Sequence, residues 1–139
     1  MTDATGSSRD GTLSPEQSAL IDEVIDGPHT PAFDFDLVND DKAGVYEAVV
    51  GDKAIGGLPY DVVADGRLVL FATSVFPEFR KQGVATELIR RVLDDVRARG
   101  RTVTAVCPIV RTFIEHNPGY ADLINSEHPG AAMRSYRRS

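Results

Sequence analysis

Arg80-Lys81-Gln82-Gly83-Val84-Ala85-Thr86 joins two segments of opposite character: an apolar run over 68–76 before it and a strongly amphipathic stretch over 82–99 after it. A strand that turns into a helix through a basic, glycine-bearing loop leaves several backbone N–H groups unpaired and pointing out of the helix start. Gly83 lets the backbone approach a ligand closely, the helix start contributes about half a positive charge, and Arg80 and Lys81 add full ones. These are the needs of a phosphate-binding cradle. The same residues also suit an ordinary surface loop with a helix-starting glycine, because short glycine motifs recur by accident.

Outward from the loop, the helix carries the clearest pattern. Val84, Leu88, Ile89, Val92, Leu93 and Val96 form one apolar stripe, while Glu87/Arg91, Arg90/Asp94 and Asp95/Arg99 pair four apart on what should be the wet side. Gly100 is a ready cap. Upstream, extended stretches at 44–50, 53–63 and 67–75 are separated by Gly51-Asp52 and Ala64-Asp65-Gly66, the turn chemistry of an antiparallel meander. Gly56-Gly57 and Pro59 weaken the middle strand and mark a bulge or an edge. Downstream come a short β-branched strand at 102–106, a two-turn helix at 108–116 and a break at Pro118-Gly119. This order predicts an α+β domain with a mixed sheet: meander first, then helix, strand and helix. At the other end, Ser14-Pro15-Glu16-Gln17 offers an N-cap, a first-turn proline and a capping box. The helix that follows spaces Leu20, Ile21, Val24 and Ile25 on one side until Gly27-Pro28 stops it. The resulting division is a disordered tail at 1–13, a helix and irregular connector at 14–42, a ligand-binding domain at 43–125 and a basic tail at 126–139.

Composition narrows the function. A chain of 139 residues, 42% apolar and 26% charged, fits one soluble domain with one core. No apolar run approaches the roughly 20 residues that span a bilayer, and the polar, acidic start lacks the form of a secretory leader, so a cytoplasmic protein is expected. One cysteine and three scattered histidines exclude a disulfide framework and imply no metal. A net charge of −6 argues against non-specific nucleic-acid coating; Arg134, Arg137 and Arg138 read most simply as a frayed end.

The spacing of Arg80, Gly83 and Ala85 resembles the Q/R-x-x-G-x-G/A signature with which GNAT-superfamily acetyltransferases hold the pyrophosphate of acetyl-CoA, and residues 76–85 are similar to that family's motif A as a block. Val106-Cys107-Pro108 and Asn117-Pro118-Gly119-Tyr120-Ala121-Asp122-Leu123 resemble a compact single-domain branch with a Cys-Pro step and a "HPEYADL"-like end. The likeness spans about 44–124. It implies a truncated GNAT fold, acetyl-CoA or another acyl-CoA as co-substrate, and acyl transfer to an amine, either a small molecule or a protein lysine. By the same resemblance Arg80, Lys81, Gln82, Gly83, Val84, Ala85 and Thr86 would hold the coenzyme, with backbone N–H groups near Val75 and Phe76 contacting the oxyanion. There are departures: Ala72 and Ser74 stand where this branch often has His and Glu, so a carboxylate base is missing, and Asn117 replaces the histidine of the "HP" step.

Two side chains are candidates for the chemistry. Cys107 lies where a strand ends and a helix begins, so the helix start would favour thiolate, and the similar branch suspects this cysteine of taking the acyl group. Equally, a lone cysteine after a β-branched strand is a small buried packing residue. Tyr120 would protonate the departing thiolate, as a tyrosine does in many GNAT enzymes, or would simply pack its ring beneath the preceding helix. His116 suits a helix end, His29 and His128 sit in loops, and Glu115 is expected to face water. Two further readings stay open beside the acyltransferase: a CoA-binding module without catalysis, and an interaction protein using the acidic 14–26 helix. The apolar stripe of that helix argues for docking on its own domain.

Overall fold

Ser14 opens the first helix as its capping box requires. Its hydroxyl accepts from the Gln17 N–H at 3.1 Å, and the Gln17 side chain accepts from the Ser14 N–H at 3.3 Å. Helix α1 then runs Pro15–Asp26 and buries Leu20, Glu23 and Val24. The computed structural model describes residues 14–28 and 30–130. The expected disordered tail, His29 and the arginines of the basic tail lie outside the described residues.

The connector expected over 29–41 is in part a strand. β1, Asp36–Asp40, pairs antiparallel with β2, Val45–Val50, with Val38 opposite Glu47. Asp and Asn are poor strand formers, which hides the signal, yet on an outermost strand their charge discourages pairing with other chains. β3, Lys53–Val62, lies inside the sheet rather than at its edge. The bulge marked by its glycines is present: Ala48 faces Gly56 while Val49 faces Ala54, leaving Ile55 as the extra residue.

The extended stretch at 67–75 divides in two, and this division builds the site. β4, Leu68–Leu70, pairs antiparallel with β3 and parallel with β6, Val103–Ala105. β5, Ser74–Val75, pairs with β3 alone, Val75 opposite Gly56. A Cβ on Gly56 would come within 2.9 Å of the Ser74 carbonyl oxygen, so the glycine is what allows this close pairing. Past Leu70 the two branches separate. The Leu70 carbonyl takes the N–H of Val106 at 3.1 Å and of Cys107 at 3.0 Å, and the chain then enters α3, Pro108–His116.

After a 3-10 turn, Pro77–Phe79, and the basic loop, α2 runs Val84–Ala98 with its whole predicted stripe buried. Glu87 departs from the expected wet side: it is buried and ion-paired to both Arg90 and Arg91. Gly100 follows the helix at φ 68, the left-handed conformation a cap glycine supplies. A second 3-10 segment, Pro118–Leu123, stands where a break was expected. Helix α1 packs on α3, α2 and β5, the three elements that surround the fork in the sheet. No helix among the described residues is long and apolar enough to cross a membrane.

Candidate functional site

The basic loop holds an anion, and the anion belongs to the chain itself. Glu23 of α1 presents Oε1 to the Lys81 N–H at 2.5 Å and Oε2 to the Ala85 N–H at 3.3 Å. Its residue is only 4% exposed, and among the described residues no basic side chain pairs with it. The carboxylate is therefore held by backbone dipoles at the start of α2, as an external anion would be. Lys81 adopts φ 64 to present its N–H, the sole positive φ of a non-glycine residue among the described residues. Such a backbone persists only where surrounding contacts hold it.

The rest of the loop is engaged as well. Arg80 donates from Nε to the Val75 carbonyl at 2.9 Å and pairs with Glu16 of α1 at 3.3 Å. Gly83 caps α2 at φ 87, and a Cβ there would meet the Thr30 carbonyl oxygen at 2.9 Å and Pro31 Cα at 3.0 Å. The Ala32 N–H donates to the Gln82 carbonyl at 3.0 Å. Of the expected open amides, those of Lys81 and Ala85 are taken by Glu23, while Glu16 and residues 30–32 contact the rest of the loop. In the first turn of α2, Thr86 is buried, and its hydroxyl oxygen has no hydrogen-bond partner among the described residues.

Of the two backbone donors expected for an oxyanion, one is committed to the sheet. The Phe76 N–H donates to the Ile55 carbonyl at 2.9 Å. Antiparallel alternation turns the Val75 N–H the other way, toward the fork. The expectation at Phe76 is corrected for this reason.

Cys107 caps α3 without exposing its thiol. It is 0% exposed, with Sγ 3.3 Å from the Thr73 hydroxyl. Burial raises its pKa above the ordinary 9.0 despite opposing help from Thr73 and from the N–H groups of Val110 and Ile109. Of the two readings of Cys107, the buried packing residue agrees with this placement and the thiolate does not, because desolvation outweighs the short helix's partial charge. Tyr120 is placed away from the loop. Its hydroxyl donates to Asp94 at 2.8 Å and its ring lies 5.6 Å from that of Phe113. Asp94 is about 15 Å along α2 from the loop end of that helix. His116 contacts the Thr112 carbonyl at 3.0 Å, and Glu115 pairs with Arg111 at 2.8 Å.

Two of the four carboxylates of α1, Glu16 and Glu23, are site residues that the sequence reading does not include. A signal was available: Glu16, Leu20, Glu23 and Val24 share one helical face, and an acid inside an apolar stripe asks for a buried donor. Their partners lie too far along the chain to be foreseen.

A family model described as GCN5-related N-acetyl-transferase matches residues 45–123, more than half of the chain. The chain belongs to the GCN5-related N-acetyltransferase family. The matched span runs from β2 through the second 3-10 segment and leaves α1 and β1 outside it. Among solved structures, a candidate acetyltransferase from Staphylococcus aureus Mu50 is 25% identical, with 47% of this chain and 53% of that one covered at a TM-score of 0.38. Eis1 from Mycobacterium abscessus is 24% identical, with 64% of this chain and 24% of that one covered at a TM-score of 0.31. The chain thus spans about half the length of the first and a quarter of the second. No curated protein matches it significantly.

Proposed function

We propose that this acetyltransferase moves an acetyl group from acetyl-CoA to an amine, a small molecule or a protein lysine, in the cytoplasm, and that the 80–86 loop receives the coenzyme's diphosphate. The observation that carries this reading is the convergence of the Lys81 and Ala85 N–H groups on one carboxylate. Donors that hold a singly charged carboxylate suit the larger charge of a diphosphate, with Arg80 beside them. The Thr86 hydroxyl, without a hydrogen-bond partner among the described residues, is free for the same use. Room for the diphosphate requires Glu23 and the Thr30-Pro31 backbone to withdraw, since both lie against the cradle.

The amine nitrogen adds its lone pair to the thioester carbonyl carbon, and the Val75 N–H facing the fork steadies the oxyanion. The C–S bond then breaks, CoA leaves as thiolate, and the proton lost by nitrogen ends on that sulfur or in water. No carboxylate stands at Ala72 or Ser74 to take the proton, so the reading uses solvent. Direct attack is favoured over relay through Cys107, because a buried thiol held above its ordinary pKa is a poor nucleophile.

Incubating the protein with acetyl-CoA and a panel of amines tests the proposal. Steady thiol release above the amine-free background is the expected result. Tight CoA binding without release would instead favour the non-catalytic binding module, the reading that the missing carboxylates motivate. Absence of both binding and release defeats the proposal.

A further inference from the structure

We infer that helix α1 is an intramolecular occupant of the coenzyme site, an acid–apolar–acid face that keeps the cradle closed until an acyl-CoA displaces it. The inference rests on the reading of the 80–86 loop as the diphosphate site. Glu16 and Glu23 are two turns apart on one face of α1, about 10 Å along its axis. Glu23 occupies the loop amides and Glu16 occupies Arg80, so each acid satisfies one of the loop's positive groups. Between them Leu20 is 0% exposed, and Val24 beside it is buried too. Helix α1 lies against α2, α3 and β5, the walls of the fork into which Val75 turns its N–H. The segment after the helix closes the remaining face, with Thr30 and Pro31 against Gly83 and the Ala32 N–H on the Gln82 carbonyl.

Two facts separate this from a plain structural helix. Among the described residues the buried Glu23 carboxylate has no cationic partner, so its burial is offset by the Lys81 and Ala85 N–H groups, the same donors that the diphosphate reading requires. The family model matches from residue 45, so α1 lies outside the matched span. A site whose own chain competes for it binds ligand with an affinity reduced by the fraction of open molecules. Weakening the plug must then strengthen CoA binding, the reverse of what removing a true binding residue does.

Calorimetric titration of CoA into the full chain, wild type and Glu23→Gln, tests this together with amide hydrogen exchange across residues 15–26. Glu23→Gln keeps the shape of the side chain while removing its charge. The expected results are CoA affinity about tenfold higher in the variant and faster exchange of α1 in the wild type once CoA is bound. If both proteins bind CoA equally, or the variant more weakly, and α1 exchange does not rise, the helix is not a plug, although CoA binding stands. If neither these proteins nor Leu20→Asp, which expels the helix by placing a charge in its docking face, binds CoA at millimolar concentration, the reading of the loop falls and the inference falls with it. Circular dichroism verifies that Leu20→Asp keeps the remaining fold; the Glu23→Gln comparison decides the matter without it.

Discussion

At the scale of single residues, burial overrules local chemistry. Cys107 has the helix start that should make it reactive, yet its thiol has no exposed surface and its pKa moves upward. Cys107→Ala is therefore expected to retain full turnover while losing about 1 kcal/mol of stability from the vacated volume; loss of turnover in a folded variant would restore the relay. Gly83 has both a positive φ and a backbone neighbour within 2.9 Å of any added Cβ. Gly83→Ala should cost on the order of 1–3 kcal/mol in a denaturant melt, and a neutral result would mean that the Thr30-Pro31 backbone yields easily. For the same reason a bulky substitution at Gly83 disturbs the fold as well as the ligand. Tyr120 shows a related point: its hydroxyl is spent on Asp94 and its ring on Phe113 and Arg97.

At the scale of elements, legibility in the chain depended on how local each element's cause is. The stripe of α2, the capping box of α1 and the turns of the meander are all set by near neighbours, and each was readable in advance. β1 was not, because Asp36, Asn39 and Asp40 disguise a strand that exists only through its pairing with β2. The break between β4 and β5 is hidden for a similar reason: residues 67–75 are uniformly extended in character, and only the competing partners β3 and β6 divide them. Helix α1 offers a test at this scale. Ser14→Ala removes its capping bond and should cost about 1 kcal/mol of local helix stability, hence raise apparent CoA affinity by up to about fivefold. Unchanged affinity, with α1 melting earlier in hydrogen exchange, would show that the helix does not compete with the coenzyme.

At the scale of the whole molecule, the titratable groups in the core and packed against it tie stability to alkaline pH. Burial, and then the Asp95 bond, raise the pKa of Tyr46 far above 10.0. Tyr60 and Tyr120 are raised chiefly by burial, and Cys107 is raised above 9.0 for the same reason. A raised folded pKa means that the folded state keeps a proton the unfolded chain would lose. The contribution is whole below the unfolded values and is lost as pH climbs through the folded ones. Denaturant midpoints should hold steady from neutrality to about pH 9 and then fall. Tyr46→Phe should flatten the part of that fall above pH 10.0, and a midpoint unchanged into strong alkali would contradict the assignment.

The chain's order of residues was sufficient for the α+β class, the long amphipathic helix and the basic glycine loop, since periodicity, caps and turn residues act over a few positions. What fills that loop, where the sheet forks and how deeply Cys107 is buried came from folding alone. Glu23 meets the Lys81 amide across 58 residues of sequence. A contact of that span leaves no local pattern, because it is made by the docking of one finished helix on others and not by any residue's preference for its neighbours.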